Sequence, residues 1–193
     1  ILLPKDYIRY VLTGVFATEV SDASGMQLLD VPGRCWSQEV LDKLEIDRAL
    51  LGKVYESCQV TGSLLPEIAQ MTGLSQNTKV VGGAGDNAAA AVGTGVVTDG
   101  TAFTTIGTSG VVFAHSSKIT IDPKGRVHTC CAAVPGTWHV MGVTQGAGLS
   151  LKWFKDNFCQ DYVAEADKQG VDVYDLINQD VEKIPEGSDK LIY

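Results

Sequence analysis

The sequence predicts an α/β chain assembled from parts of two domains, and three observations carry that reading. A helical, loop-rich stretch fills residues 1–78 and gives way after "LSQNTK" to strand-rich sequence. At the change, "VVGGAGDNAAAAVGTG" (Val80–Gly95) runs from an apolar strand through a glycine turn into a helix of small residues. Beyond it, "GTAFTTIGTSGVVFAHS" (Gly100–Ser116) is rich in Thr, Ile, Phe and Val around a tight Gly107-Thr108-Ser109-Gly110 turn. Two partial domains, 1–78 and 79–193, are therefore expected, with a ligand cleft where they meet.

The first element is "PKDYIRYVLTG", whose apolar Tyr7, Ile8, Val11 and Leu12 fall at helical spacing and whose Gly14 is a C-cap. "SDASGMQLLDV" opens on capping and turn residues and then turns apolar, with Asp22 read as a turn or cap residue. In "SQEVLDKLEI", Ser37 is the N-cap of a short amphipathic helix carrying Val40, Leu41, Leu44 and Ile46. "LLPEIAQMTG" predicts another short helix, ended by Gly73. Lys79 to Gly83 reads as a strand and Asn87 to Val92 as a helix. Strands are expected near residues 126–134 and 138–144, followed by a helix from about Ala147 to Phe158. The closing "DKLIY" looks like the middle of a strand, and the opening lies inside an apolar run without an initiator Met. The chain is thus expected to be part of something larger.

Composition narrows the function classes. With 45% hydrophobic and 20% charged residues, the chain is globular rather than disordered. Its formal charge of −8 and lack of a basic run leave nothing to meet nucleic acid or an anionic membrane. The longest apolar runs fall far short of the roughly 18 residues that span a bilayer. The opening "ILLPKDYIRY" lacks the basic start of a secretory signal, so a cytoplasmic location is expected. The five cysteines (Cys35, Cys58, Cys130, Cys131, Cys159) form no C-x-x-C pair and read as reduced thiols. A metal site from His128, Cys130, Cys131 and His139 competes with simple alternation along a half-buried sheet, and no metal ligands are assigned.

Three constellations carry chemistry. Asp86 stands alone among Gly82, Gly83, Gly85 and the alanines 88–91. It is either the N-cap of the following helix or a bare carboxylate able to take a proton from an attacking hydroxyl. Gly83 to Ala88 also fits a dinucleotide fingerprint. An Asp inside that loop would repel a pyrophosphate, however, and no ribose-binding acid stands about 20 residues on. A P-loop motif is absent from the sequence. Second, Thr104 to Gly110 is either an ordinary hairpin or a phosphate site made of hydroxyls and free N–H groups. Third, "TQGAGLSLKWF" opens a helix on Gly146 and Gly148 with Lys152 about one turn inside, either a helix N-terminus open to an anion or a glycine-rich helix entry with a solvated lysine. Together, a base and a phosphate cradle are what phosphoryl transfer requires.

Five stretches in this order, "LPKDYIRYVLTG", "SDASGMQLLDV", "GGAGDNAAAAVGTG", "TIGTSGVVF" and "TQGAGLSLKWF", closely resemble the FGGY carbohydrate kinases over essentially the whole chain. The resemblance implies the actin-like, ribonuclease H-like α/β fold, with residues 1–78 the end of the first, sugar-binding domain and 79–193 the start of the second, ATP-binding domain. It implies that Asp86 is the general base and that Asn87 contacts the sugar; in glycerol kinases Gln tends to replace this Asn. It also implies that Gly107, Thr108 and Ser109 lie along the ATP phosphates, and, more loosely, that Gly148 and Lys152 line the nucleotide. ATP and Mg²⁺ are the implied cofactors, and the reaction the resemblance implies is phosphorylation of a ketopentose, with D-xylulose to D-xylulose 5-phosphate the expected case. Rivals are other sugar or polyol kinases of the family (ribulose, fuculose, glycerol), a non-catalytic actin-like binding protein and, distantly, a nicotinamide-dependent dehydrogenase. The family's first phosphate loop and its adenosine motif are not in this sequence, so the fragment alone is expected to be inactive. The partners implied are a small-molecule sugar and ATP, with homodimerisation left open.

Overall fold

The computed structural model describes residues 1–191. In chain order the elements are α1 (Pro4–Thr13), β1 (Ala17–Glu19), α2 (Val20–Ala23), β2 (Leu29–Asp30), β3 (Cys35–Trp36), α3 (Gln38–Lys43), β4 (Lys53–Tyr55), β5 (Val60–Ser63) and α4 (Pro66–Thr72). There follow β6 (Lys79–Val81), α5 (Asp86–Gly93), β7 (Ala102–Ile106), β8 (Gly110–Ser116), β9 (His128–Cys131), β10 (Trp138–Thr144), α6 (Gly148–Phe158), α7 (Gln160–Gln169) and α8 (Val173–Val181). Residues 1–105 with 111–143 form one compact unit, and residues 106–110 with 144 onward form a second.

Local chemistry sets the helix ends. Pro4 occupies the first turn of α1, and Gly14, in the left-handed region, returns its N–H to Tyr10 O at 2.6 Å. The side chain of Ser37 accepts from Val40 N at the start of α3, and Gly73 closes α4. The buried face of α1 is polar, however: Asp6, Arg9 and Thr13 turn inward, while Tyr7 and Ile8 are more than half exposed. An ion pair therefore occupies the side that apolar spacing would assign to the core. Two helices outside the sequence-based expectation, α7 and α8, meet where Gly170 ends the first and Asp172 caps the second by accepting from Tyr174 N. At the chain's end, Ser188–Lys190 form a 3-10 turn rather than a strand. The rest of the expected strand, residues 192–193, lies outside the described residues.

The first unit is built on small sheets. β1 runs parallel to β4, with Glu19 opposite Tyr55, and β2 pairs antiparallel with β3. β6 pairs antiparallel with β5 through an irregularity between Val60 and Gly62, so the chain on both sides of residue 78 is joined by backbone hydrogen bonds. A four-stranded sheet has the order β7-β8-β10-β9. The main core gathers Val20, Ala23, Leu28, Leu29, Trp36, Leu41, Leu51 and Cys131. A second cluster packs Ala91 and Val96 on Phe113, which stacks on Phe103 and on His139. Cys130 lies opposite His139 in the β9–β10 ladder. Burial drives their chemistry: it pushes the Cys130 thiol up to about 11 and, with His115 adding, holds the His139 imidazole down to about 4. Among the described residues no three His, Cys, Asp or Glu gather to hold a metal, and no helix is long and apolar enough to cross a membrane.

In the second unit, Lys155 of α6 lies over the Tyr174 ring of α8, and Tyr162 of α7 bonds Asp180 of α8.

Candidate active site

β6, a glycine turn and α5 present Asp86. Gly85, not Asp86, is the N-cap residue of α5, and Asp86 is the first helical residue. The capping alternative for Asp86 is thereby removed. Its carboxylate is exposed; Oδ1 accepts from the neighbouring Asn87 N at 2.7 Å and Asn87 Nδ2 at 3.2 Å. Oδ2 accepts no hydrogen bond among the described residues. The helix behind it is thin for a packing reason as well: Ala88 and Ala91 are buried.

The turn itself is pinned from below. A Cβ on Gly82 would stand 2.7 Å from Glu56 O, so glycine here serves close backbone packing and not ligand access. Gly82 N donates to Gln59 O at 2.9 Å and Gly83 N to Ser57 O at 3.0 Å. Gly82 O accepts from Arg9 Nη1 at 2.6 Å. Arg9 also bonds Ala17 O and reaches Asp6 at 2.9 Å, and Thr18 Oγ1 donates to the second oxygen of Asp6 at 2.6 Å. These charges are almost fully buried and mutually satisfied, with only Arg9 Nε lacking a partner among the described residues.

A second carboxylate faces this corner. Asp22 is not the cap of α2, a role taken by the Glu19 side chain, which accepts from Ser21 N and Asp22 N. The Asp22 carboxylate instead lies 3.7 Å from Lys5 Nζ and next to Gly85, whose added Cβ would meet Asp22 Oδ1 at 3.4 Å. Burial pushes its pKa up; Lys5 opposes this, and the carboxylates of Glu19, Asp6 and Asp86 add to it. Lys5 Nζ is 2.8 Å from Asp6 and 3.5 Å from Glu19. Sequence reasoning missed Lys5, Arg9, Glu19 and Ser21, because each stands where a helix surface or a cap also places such residues.

The second unit holds the remaining candidates. Gly107 N donates to Ser109 O at 2.9 Å, closing the turn. The carbonyls of Gly107 and Thr108 then accept from the start of α6: Gly148 N to Gly107 O at 2.8 Å, and Ala147 N to Thr108 O at 3.0 Å. The first N–H groups of α6 are thus consumed by the turn, which corrects the expectation of a helix N-terminus open to an anion. A Cβ on Gly148 would sit 2.6 Å from Gly107 O, so this contact requires glycine. Thr108 and Ser109 are exposed, and no hydrogen bond occupies their hydroxyls among the described residues. Lys152 points along its own helix to Asp156 at 2.5 Å, in an exposed pair.

Comparison with known proteins decides the family. The N-terminal domain of the FGGY family of carbohydrate kinases matches residues 1–93. The xylulose kinase of Bacillus subtilis is 38% identical over 192 residues, all of this chain and 36% of its own length. That of Escherichia coli K12 is 44% identical over 79% of this chain and 31% of its own. The chain belongs to the FGGY family of carbohydrate kinases. It spans about a third of the length of the curated relatives it matches. The crystal structure of a xyloylose kinase from Brucella ovis superposes with a TM-score of 0.80 at 40% identity, covering 85% of this chain and 34% of that one. A xylulose kinase from Rhodospirillum rubrum, at 23% identity and TM-score 0.84 over 97% of this chain and 37% of its own, shares the fold. The α/β fold is the actin-like one of these FGGY kinases.

Proposed function

We propose that the full-length protein is an ATP-dependent sugar kinase that phosphorylates a ketopentose, D-xylulose to D-xylulose 5-phosphate. The observation that carries this reading is Asp86: an exposed carboxylate whose Oδ2 accepts no hydrogen bond among the described residues, mounted on a turn held by buried charges. A carboxylate so placed accepts the proton of the attacking hydroxyl as the new P–O bond forms. Asn87, half-buried beside it, holds one Asp86 oxygen and is assigned to the sugar.

On the nucleotide side, Gly107, Thr108 and Ser109 are assigned to the ATP phosphates, with the Thr108 and Ser109 hydroxyls, unbonded among the described residues, as donors. Gly148 is assigned a steric role there, keeping the turn seated on α6. Lys152 is assigned to the same site and would have to leave Asp156 to serve it. Mg²⁺ carried with ATP beside Gly107, Thr108 and Ser109 would supply neutralisation of the charge that develops on the transferring phosphoryl group. We assign residues 1–78 to the sugar-binding part and 79–193 to the ATP-binding part; the N-terminal family match runs on to residue 93. A cytoplasmic location belongs to the same proposal.

The test is sugar-dependent ADP release by the full-length protein over D-xylulose, ribulose, fuculose, gluconate and glycerol, with Asp86→Ala beside it. Turnover on D-xylulose that falls roughly 100-fold to 10,000-fold in the variant supports both reaction and base. Turnover on another sugar corrects the substrate. Absence of ADP release from the folded protein would leave the non-catalytic actin-like reading in its place.

A further inference from the structure

We propose that Glu19, acting through Ser21, is a positioning residue for Asp86, an inference that rests on Asp86 being the base. Glu19 is fully buried, and both of its oxygens are saturated. Oε1 accepts from Ser21 Oγ at 2.9 Å and Asp22 N at 2.8 Å; Oε2 accepts from Ser21 N at 2.8 Å and Ser57 Oγ at 2.9 Å. Lys5 Nζ, 3.5 Å away, supplies the compensating charge.

What these bonds hold is the turn that carries Asp86. Ser21 has one hydroxyl proton, and Glu19 takes it. The Ser21 oxygen is then an acceptor toward Gly85 N, which donates at 3.0 Å. Gly85 is the N-cap of α5 and the residue before Asp86. On the other arm, Ser57 gives its hydroxyl proton to Glu19 while its carbonyl accepts from Gly83 N at 3.0 Å. One carboxylate therefore grips both sides of the turn, and its negative charge fixes both serine hydroxyls as donors toward it. A fold that needed only packing here would do as well with an apolar side chain, since a buried charge is costly to desolvate. Rigidity at the reacting group is what this arrangement supplies, and misplacement of such a group by about 1 Å costs on the order of 100-fold in rate.

The test uses the full-length protein, with kcat and KM for sugar and ATP, single-turnover ADP release and thermal unfolding. The variants are Ser21→Ala, Glu19→Gln, Asp86→Asn and the Ser21→Ala/Asp86→Asn double. Gln keeps the shape of Glu19 but turns an NH₂ toward two donors. The expected result is a roughly 10-fold to 100-fold drop in kcat for Ser21→Ala and Glu19→Gln, with the KM for ATP within about twofold. In the Asp86→Asn background, Ser21→Ala should cost nothing further, because the group it positions is already gone. A merely structural role would lower the rate equally in both backgrounds. Full multiplicative loss in the double variant, or a Ser21→Ala enzyme that is folded and keeps its kcat, overturns the proposal. If Glu19→Gln does not fold, Ser21→Ala alone decides. Wild-type kcat in Asp86→Asn would overturn the base assignment itself, an arm that involves neither Glu19 nor Ser21.

Discussion

At the scale of single residues, the corner around Asp86 is a balance of unlike charges, and Asp22 is the member out of balance. Its carboxyl is pushed up by burial first, with neighbouring carboxylates adding and Lys5 opposing. Because the folded state holds this proton more tightly than the unfolded chain, the stabilising contribution is complete below the ordinary carboxylate pKa near 4. It is lost as pH rises through the raised value. Asp22→Asn should therefore gain stability relative to wild type across that window and keep the gain at neutral pH. Urea unfolding at intervals from pH 4 to 7 checks this; a difference that shrinks as pH rises would contradict it. The exposure of the Asp86 carboxylate was legible in the sequence, because the glycines and alanines around it carry no side chain large enough to cover it. Glu19 was not, since "ATEVSDAS" reads equally as a strand end followed by a cap, and only the fold reveals that four donors converge on it.

At the scale of elements, caps and glycine stops made the helices readable, while packing decided which face turned inward. Tyr7 and Ile8 fall in the apolar spacing of α1, yet both are more than half exposed while Asp6 and Arg9 are buried, with Arg9 donating to Gly82 O. Periodicity records polarity, and a satisfied buried ion pair inverts it. Ser37 and Asp86 stand at comparable helix starts, and the proposed duties, a cap for one and a base for the other, are separated by stability data. Ser37→Ala should cost about 1 kcal/mol, since its oxygen caps Val40 N. Asp86→Asn should cost about 0.5 kcal/mol at most, from the lost charge at a helix N-terminus, while removing most of the activity. Chemical denaturation of both variants measures this, and a large stability loss at Asp86 would return it to a structural role. At the turn proposed for the nucleotide, Gly148→Ala sets a methyl 2.6 Å from Gly107 O and must displace the turn. The KM for ATP should rise about tenfold, as loss of a phosphate contact would, with the KM for sugar unchanged. An equal rise in both would argue against assigning this turn to the nucleotide.

At the scale of the whole chain, burial is distributed unequally between the two compact units, and local stability should follow it. The first unit owns the clusters around Trp36 and Leu41 and around Phe113, and it buries the Asp6–Arg9 pair and Glu19 beneath the glycine turn. In the second, α6 and α8 contain no buried residue among those described, and α7 contains one, Ala166. Leu149 and Phe158 are more than half exposed. Helices this short gain most of their stability from packing an apolar face, and propensity alone leaves them marginal in water. Amide hydrogen exchange on this 193-residue chain should therefore show fast exchange in α6, α7 and α8, set by local opening. Exchange in α1, β1 and β4 should be slower by a factor of at least about 100, approaching the global unfolding limit. The Arg9-to-Gly82 and Ser21-to-Gly85 bonds extend the protected region to the turn before Asp86, so the Gly82, Gly83 and Gly85 amides should exchange with the first unit's core. Equal protection across both units would show that the second finds its stability elsewhere. Fast exchange confined to the Gly82–Gly85 turn would show that the buried charges do not make it rigid, and the positioning of Asp86 would need another cause.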